Sequence, residues 1–571
     1  MNVKTDNRDV MVTLDSKKVY VILGSILSVS FILRFYGIWN AEHGDEINEI
    51  FEALRVCSGH FNYNRWFKRF YLYILSFEFG IYYLIGHLFG FFGTPIQFAK
   101  EIVTNMKPLF IIARITNVIF GTFSAFLVYL IGKRMSSAAV GLLASLIFSF
   151  SVLHVASSHY ATVDISMLML LLLAMVCILN IMELGVSVKH YFLFAIFAGL
   201  AIQAKIPAII VVFPFLAAHL LNVFYLKKDE IKLISLHILF AGIGLVIGLI
   251  LGNPAVLFRP DAFIKAALGI GTGFTKQSTV YDFVPSGWDM YWKVILKDLG
   301  IATSILALCG IILTITKRDI RYSLILAFII PFYIIMASSK KLVFARYMIP
   351  VIPFLCLFAA HFLLFALGKT KILKKKLIFA TLVGLVLIYP VYRALKFDIS
   401  LMGLNTRYLA GKWFEENIPA GSKVLLESGK SINSRGIFIS ESPQNILDKM
   451  SRVEQSLAQG QKHYDHVGIV DRNALIFYKL QLETLPELTY DITSTEFNRN
   501  IKPYSYYIAN GYEYAAINSD TQDFYLSDYA RNLQPTLYNF YEDLMNRGEL
   551  IKSFEPNFFH RGPRFRIFRF R

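Results

Sequence analysis

Two adjacent carboxylates, Asp45 and Glu46, come soon after the first apolar stretch of this 571-residue chain. In GDEINEIFEALR, Asp45, Glu49 and Glu52 recur at intervals of four and three, so on a helix they share one face. Ile47, Ile50, Phe51 and Leu54 are left for an apolar one. A carboxylate at such a position could take the proton of a hydroxyl as general base. It could also be an N-cap, since Asp45 follows Gly44, with Glu46, Glu49 and Glu52 forming a solvated face. Three basic residues stand at the ends of other apolar stretches: Lys68 in NRWFKRFYLY, Lys205 in GLAIQAKIPA and Arg346 in ARYMIPVIPF. Each alone can be an anchor that snorkels to the interface; three together could clamp a phosphate through charge-assisted, partly bidentate bonds. SSHYATVD adds His159 and Asp164 in a tight turn, where Asp164 could bind substrate or cap the next helix. Acids and cations so placed point to chemistry on a lipid-borne anionic substrate. Gly-rich phosphate loops, a Ser-His-Asp order and metal-ligand spacings are missing from the sequence. A divalent metal on Asp45, Glu46 or His159 is compatible with the residue types, but no spacing calls for one, so no cofactor is assigned.

Residues at the ends of apolar stretches have to be positioned by membrane helices. The chain is 55% hydrophobic with mean hydropathy +0.51, and many of its stretches approach the ~20 residues needed to cross a bilayer. Eleven spans are expected, at 19–37, 108–132, 138–156, 163–183, 191–204, 206–225, 233–252, 297–316, 321–338, 346–367 and 376–396. With the N-terminus inside, the inner connections carry Lys133-Arg134, Lys189, Lys227-Lys228, Lys317-Arg318 and the run from Lys369 to Lys376, as the positive-inside rule requires. Counting 71–92 as a twelfth span would reverse everything downstream. Its aromatic richness, with Glu78 and His87 inside it, suits an interfacial or re-entrant helix.

The net charge of +17 belongs to this membrane part. Residues 1–396 hold 37 Lys and Arg against 19 Asp and Glu, whereas residues 397–571 hold 20 against 21. Retention of cations in short loops explains the excess, which argues against a nucleic-acid partner. Four scattered cysteines, Cys57, Cys177, Cys309 and Cys356, form no disulfide or zinc pattern. The N-terminal stretch lacks a small-x-small cleavage site and should stay as an anchor.

Two domains are therefore expected: a membrane domain over 1–396 with an outer loop at 39–107, and a soluble extracytoplasmic α/β domain over 397–571. The latter mixes helical stretches (403–416, and 526–546 interrupted at Pro535) with strand-like runs VLLES (424–428), HVGIVD (466–471), YEYAAINS (512–519) and FRIFRF (565–570).

Taken in order, these landmarks resemble bacterial members of glycosyltransferase family 39. This is the dolichyl-phosphate-mannose protein mannosyltransferase-like group of the GT-C class, which includes the aminoarabinose transferases acting on lipid A. The resemblance runs through RFYGIWNAEHGDEINEI, ARITNVIFGTFSAFLVYLIGKR, SVLHVASSHYATVD, GLAIQAKIPA, NPAVLFRPDAF and ARYMIPVIPFLCLFAA. In the C-terminal part it continues in TRYLAGKWFEENIPAGSKVLLES and GPRFRIFRF. The chain departs from the family in having NYNRWFKRFYLYIL where a Pro-containing motif is usual, and it has no inserted β-trefoil domain.

The resemblance implies a polytopic α-helical GT-C membrane protein of the inner (plasma) membrane. It would move a sugar, with inversion, from a polyprenyl-phosphate donor to a hydroxyl of a glycan, lipid or protein acceptor on the extracytoplasmic face. It also implies that Asp45, with Glu46 beside it, is the catalytic acid pair, and that Lys205 and Arg346, with Lys68, hold the donor phosphate. The alternative is a lipid-linked glycan or lipid transporter without bond chemistry, which would bury ionisable residues in mid-span and break its helices.

Overall fold

The protein is described from a computed structural model covering residues 15–59, 66–184, 187–225, 231–269, 286–339, 343–369, 375–427, 436–459, 464–465, 468–469, 472–495 and 501–571. Lys227-Lys228, the middle of the loop at 253–296, most of the Lys369–Lys376 run and most of HVGIVD lie outside these residues. In chain order the first helices are α1 (Ser16–Phe35), α2 (Glu46–Cys57), α3 (Phe70–Leu88), α4 (Pro95–Thr104), α5 (Lys107–Met135) and α6 (Ala138–Ser149). They are followed by α7 (Val152–Ser158), α8 (Val163–Leu184), α9 (Val188–Ala204), a 3-10 turn at Ile206–Val211, α10 (Val212–Tyr225) and α11 (Ile231–Gly252). Later come helices Gly287–Lys317, Ile320–Ala337, Ile352–Lys369 and Lys375–Ser400. Each stretch expected as a span falls largely on helix, with a break between α6 and α7 inside 138–156 and 3-10 turns opening 206–225 and 346–367. Among the described residues, seven helices are long and apolar enough to cross a membrane, α6 and α7 form a bent pair at 65°, and three more are apolar but shorter. Helix α3 is not in that set.

The chain divides into two compact units, the first made of Met1–Tyr36, His60–Leu75 and Arg114–Phe397. In this unit α8 is the central helix: 78% of its apolar window is buried, against 17% for Leu377–Ser400. Helices α9 and α11 approach so closely that a Cβ on Gly199 would lie 2.8 Å from Leu245 O, and one on Gly248 would strike Ile196 O. Small residues allow this kind of packing where apolar burial gives no net drive between helices.

Two breaks in the first unit carry polar anchors. The bend between α6 and α7 is held from one side by wholly buried Arg34, which donates to Ser149 O (3.2 Å) and Ser30 Oγ (2.7 Å) and meets His154 Nδ1 at 2.8 Å. From the other side Asp298 accepts from Ser151 Oγ and from Leu153 N, both at 2.7 Å, and so caps α7 from a different helix. Asp298 lies beside a second break, at Gly300 (φ 77°, ψ 165°) within Gly287–Lys317.

The second unit comprises Gly37–Gly59, Ser76–Ala113 and Asp398–Arg571. Its five-stranded sheet has the order β4-β1-β5-β7-β6, with β1 (Lys423–Glu427), β4 (Asp491–Thr495), β5 (Tyr514–Asn518), β6 (Glu549–Phe554) and β7 (Phe565–Arg569); a separate ribbon pairs β2 (Tyr464–Asp465) with β3 (Gly468–Ile469). Strand β1 runs parallel to β4 and β5, and β7 antiparallel to β5 and β6. At the end of β1, buried Glu427 accepts from Tyr541 Oη (2.6 Å) and Asn518 N (2.9 Å). Helix α2 joins this unit through the edge-to-face pair Phe51–Phe477 (5.3 Å), and the loop before it through Asn40 Nδ2 donating to Leu401 O (3.0 Å) and Arg407 Nη1 donating to Glu42 Oε1 (3.3 Å). Strands β4 and β6 and helices Pro443–Ala458 and Arg472–Glu483 add to the expected α/β pattern.

Candidate functional site

In the first unit the ends of several apolar helices converge on Asp164. This residue lies in the first turn of α8, where acids suit the helix dipole, but its carboxylate is taken up by cations. Lys205 Nζ lies 2.5 Å from Oδ1 and Arg346 Nε 3.8 Å from Oδ2. Lys205 is held where α9 stops. Its N–H still bonds Ala201 O at 2.8 Å, while its own backbone is extended (φ −162°, ψ 130°) ahead of the Pro207 turn. Arg346 belongs to a 3-10 turn, Ala345–Met348, that precedes Ile352–Lys369. The ring of Tyr347 lies 4.3 Å from Lys205 Nζ and that of Phe344 4.8 Å from Arg346 Cζ, both within cation–π range.

Lys68 is the third cation. It is exposed and left-handed (φ 68°), and its charge acts on Lys205. Its loop is tied down on both sides: Arg69 N donates to Gln203 O (2.8 Å), and Asn253 Nδ2 donates to Trp66 O (3.2 Å). Burial pushes the Lys205 ammonium down to about 8; Asp164 pulls it back up, and Arg346 and Lys68 push it further down. Two cations on one carboxylate, with the charge of Lys68 acting on the pair, make a basic cluster whose chemistry suits a phosphate.

His159 serves this unit as a post. It is wholly buried, its Nδ1 and Nε2 each lie 2.8 Å from a backbone oxygen, Val155 O and Tyr36 O, and its ring packs edge-on against Phe397. The turn that leads to Asp164 is fixed by Asn117 of α5, whose Nδ2 donates to Tyr160 O (2.6 Å) and Thr162 O (2.8 Å). Asn117, Arg34 and Asp298 are absent from the sequence-derived site. The signal that could have found them is a polar or charged residue inside an apolar span. Gln203 is another: it is wholly buried, and among the described residues neither of its side-chain polar atoms has a hydrogen-bond partner.

The acids of the first loop belong to the second unit. Asp45 occupies the N-cap position of α2, but its side chain makes no capping bond and it is helical itself (φ −74°, ψ −21°). Its N–H donates to His43 Nδ1 (3.1 Å), and its Oδ2 lies 4.0 Å from the same nitrogen. About a third of the Asp45 side chain (32%) is exposed. Glu46 differs: fully buried, it accepts the His43 N–H at 2.9 Å and closes the helix start. Glu52 is paired with Arg55 at 3.0 Å. Among the described residues no group of three or more His, Cys, Asp or Glu could hold a metal ion.

The fold is shared with solved membrane glycosyltransferases. The oligosaccharyltransferase of Archaeoglobus fulgidus tethered to an acceptor peptide containing the NVT sequon superposes with TM-score 0.52 at 12% identity, over 95% of this chain and 73% of that one. Its apo form gives 0.51 at 11%, over 89% and 70%. ArnT from Cupriavidus metallidurans in the apo state gives 0.49 at 11%, over 97% and 98%. A search of curated proteins finds no match. Membrane helices with a small C-terminal sheet in this arrangement are the GT-C fold that the chain shares with these structures. Residues 80–254 match the family model described as dolichyl-phosphate-mannose-protein mannosyltransferase.

Proposed function

We propose that the protein transfers a sugar from a polyprenyl-phosphate donor to an acceptor hydroxyl, with inversion, at the extracytoplasmic face of the plasma membrane. The observation that carries this reading is the gathering of Lys205 and Arg346 on Asp164, with Lys68 adding its charge. The matching family is named for a dolichyl-phosphate sugar donor. In the proposed step the acceptor oxygen attacks the anomeric carbon, the carbon–oxygen bond to the phosphate breaks, and polyprenyl phosphate leaves as an anion. Lys205 and Arg346 stabilise the charge that grows on it, so no general acid is required. The role proposed for Asp45 rests on the Asp-Glu motif and its own surroundings: a partly exposed carboxylate, not used as a cap, that can accept the acceptor proton. Glu46, occupied by the His43 amide, supports the helix start next to it.

The transporter alternative calls for ionisable groups buried in spans and for broken helices, and both occur. Arg34 and Asp298, however, are spent on the backbone of the α6–α7 bend, bonding Ser149 O and Leu153 N, which makes them parts of the scaffold. Incubating the purified protein with a panel of polyprenyl-phosphate sugars and candidate acceptors should release polyprenyl phosphate with one of them. Movement of an intact donor across a vesicle membrane without release would favour the transporter. A periplasmic reporter fused after Arg571 should be active, as the proposed side of residues 397–571 requires.

A further inference from the structure

Helix Gly287–Lys317 ends on Arg318, whose backbone is left-handed (φ 51°, ψ 43°). The end is closed by Asp319 N donating to Thr314 O (3.1 Å), the long bond of a Schellman motif. Glycine fills this position without steric cost, and a side chain is uncommon there. The Arg318 side chain is exposed, and among the described residues its guanidinium has no ion-pair or hydrogen-bond partner. Neighbouring charges are committed elsewhere: Asp319 accepts Arg321 N and Tyr322 N at the start of Ile320–Ala337, and Arg321 Nη1 donates to Arg134 O and Met135 O. Among the described residues, then, this cation has no partner, and it occupies a position where the backbone favours glycine.

Arg318 lines a groove of about 420 Å³ together with Ala217 and Leu221 of α10 and with Ile315, Ile320 and Leu324. That volume falls within the roughly 300–1,000 Å³ of small-molecule sites. The groove lies between helices apolar enough to cross a membrane, and Ile315 and Ile320 are 62% and 45% exposed. A soluble anion could use only the guanidinium and would gain nothing from this wall. A phospholipid uses both, its phosphate on Arg318 and an acyl chain along the apolar side.

We propose that this groove is a docking site for an anionic phospholipid, with the phosphate on Arg318 and one acyl chain against Leu221, Ile315 and Leu324. The full chain is reconstituted in vesicles of equimolar phosphatidylglycerol and phosphatidylcholine and re-extracted in detergent, and the retained lipid is read by native mass spectrometry. Wild type should retain phosphatidylglycerol preferentially. Arg318→Gly should lower that retention about fivefold, the effect of one basic residue at an anionic membrane surface, while its melting temperature in lipid-free detergent holds or rises, because glycine suits the backbone. Ile315→Trp, which keeps the charge and fills the groove, should also lose the lipid. Equal retention of both lipids by wild type, unchanged retention by Arg318→Gly, or unchanged retention by Ile315→Trp would each overturn the proposal.

Discussion

Lys205 Nζ and Asp164 Oδ1 meet at 2.5 Å across 41 residues of sequence, with the carboxylate side chain only 3% exposed. A buried pair of this kind is weak as a source of stability but costly to break from one side, on the order of 3–5 kcal/mol, because a charge is left without its counter-ion. Asp164→Asn should therefore lower the melting temperature of the purified protein. Added polyprenyl phosphate should restore part of the loss by supplying the missing negative charge. A variant that melts like wild type would show that Lys205 does not depend on Asp164.

The same lysine gives a pH dependence with a definite sign. Its ammonium, lowered by burial to about 8, is present below that pH and lost above it. Donor affinity should be flat below pH 8 and weaken above it, by at most about tenfold per pH unit for a single proton. Lys205→Arg, which keeps its proton throughout, should flatten the curve. Titration calorimetry with polyprenyl phosphate reads both, and a wild-type affinity that stays constant well above pH 8 would remove Lys205 from the phosphate site.

Asp45→Asn tests the proposed base with little structural cost, since the Asp45 side chain makes no capping bond at the start of α2. Folding and donor binding should be close to normal while transfer falls by at least ~100-fold, the low end of general-base assistance. Near-native turnover would move the role to another acid. Repeating the assay on wild type after exhaustive chelation separates a base from a metal ligand.

Gln203 offers a change in the opposite direction. Among the described residues its buried amide has no partner for either polar atom, and a buried donor or acceptor without a partner costs about 1–3 kcal/mol. Gln203→Met, similar in shape and apolar, should raise the melting temperature by a corresponding amount. A fall would mean that the amide is paired in the folded protein.

The helical stretches were legible in the sequence because apolar runs near bilayer length have few alternatives. Lys205, Arg346 and Asp164 were legible as candidates because charged residues at the ends of apolar helices are conspicuous. That Asp164 would take up both cations was not, since it depends on where three helix ends meet. Likewise Asp45 reads as a cap from its spacing after Gly44, yet local backbone geometry turns its side chain away from that task. In the C-terminal part, Pro535 marked the break between helices Asp528–Leu533 and Pro535–Arg547. Strand β6, ELIKSF, lacks strict alternation and is exposed or half-buried along its length, so its pattern gave no strand signal.

The bend between α6 and α7 also bears on biogenesis. Ser151 waits for a partner 147 residues further along the chain, and at the ~5–20 residues per second of synthesis that interval is on the order of 10–30 s. Until Asp298 emerges, the Leu153 amide and the Ser151 hydroxyl have lost that bond inside an apolar segment. The early helices must therefore either stay near water or borrow a temporary partner from the insertion machinery. Chains halted before residue 298 should accumulate as a protease-sensitive intermediate that a full-length chain passes through only once.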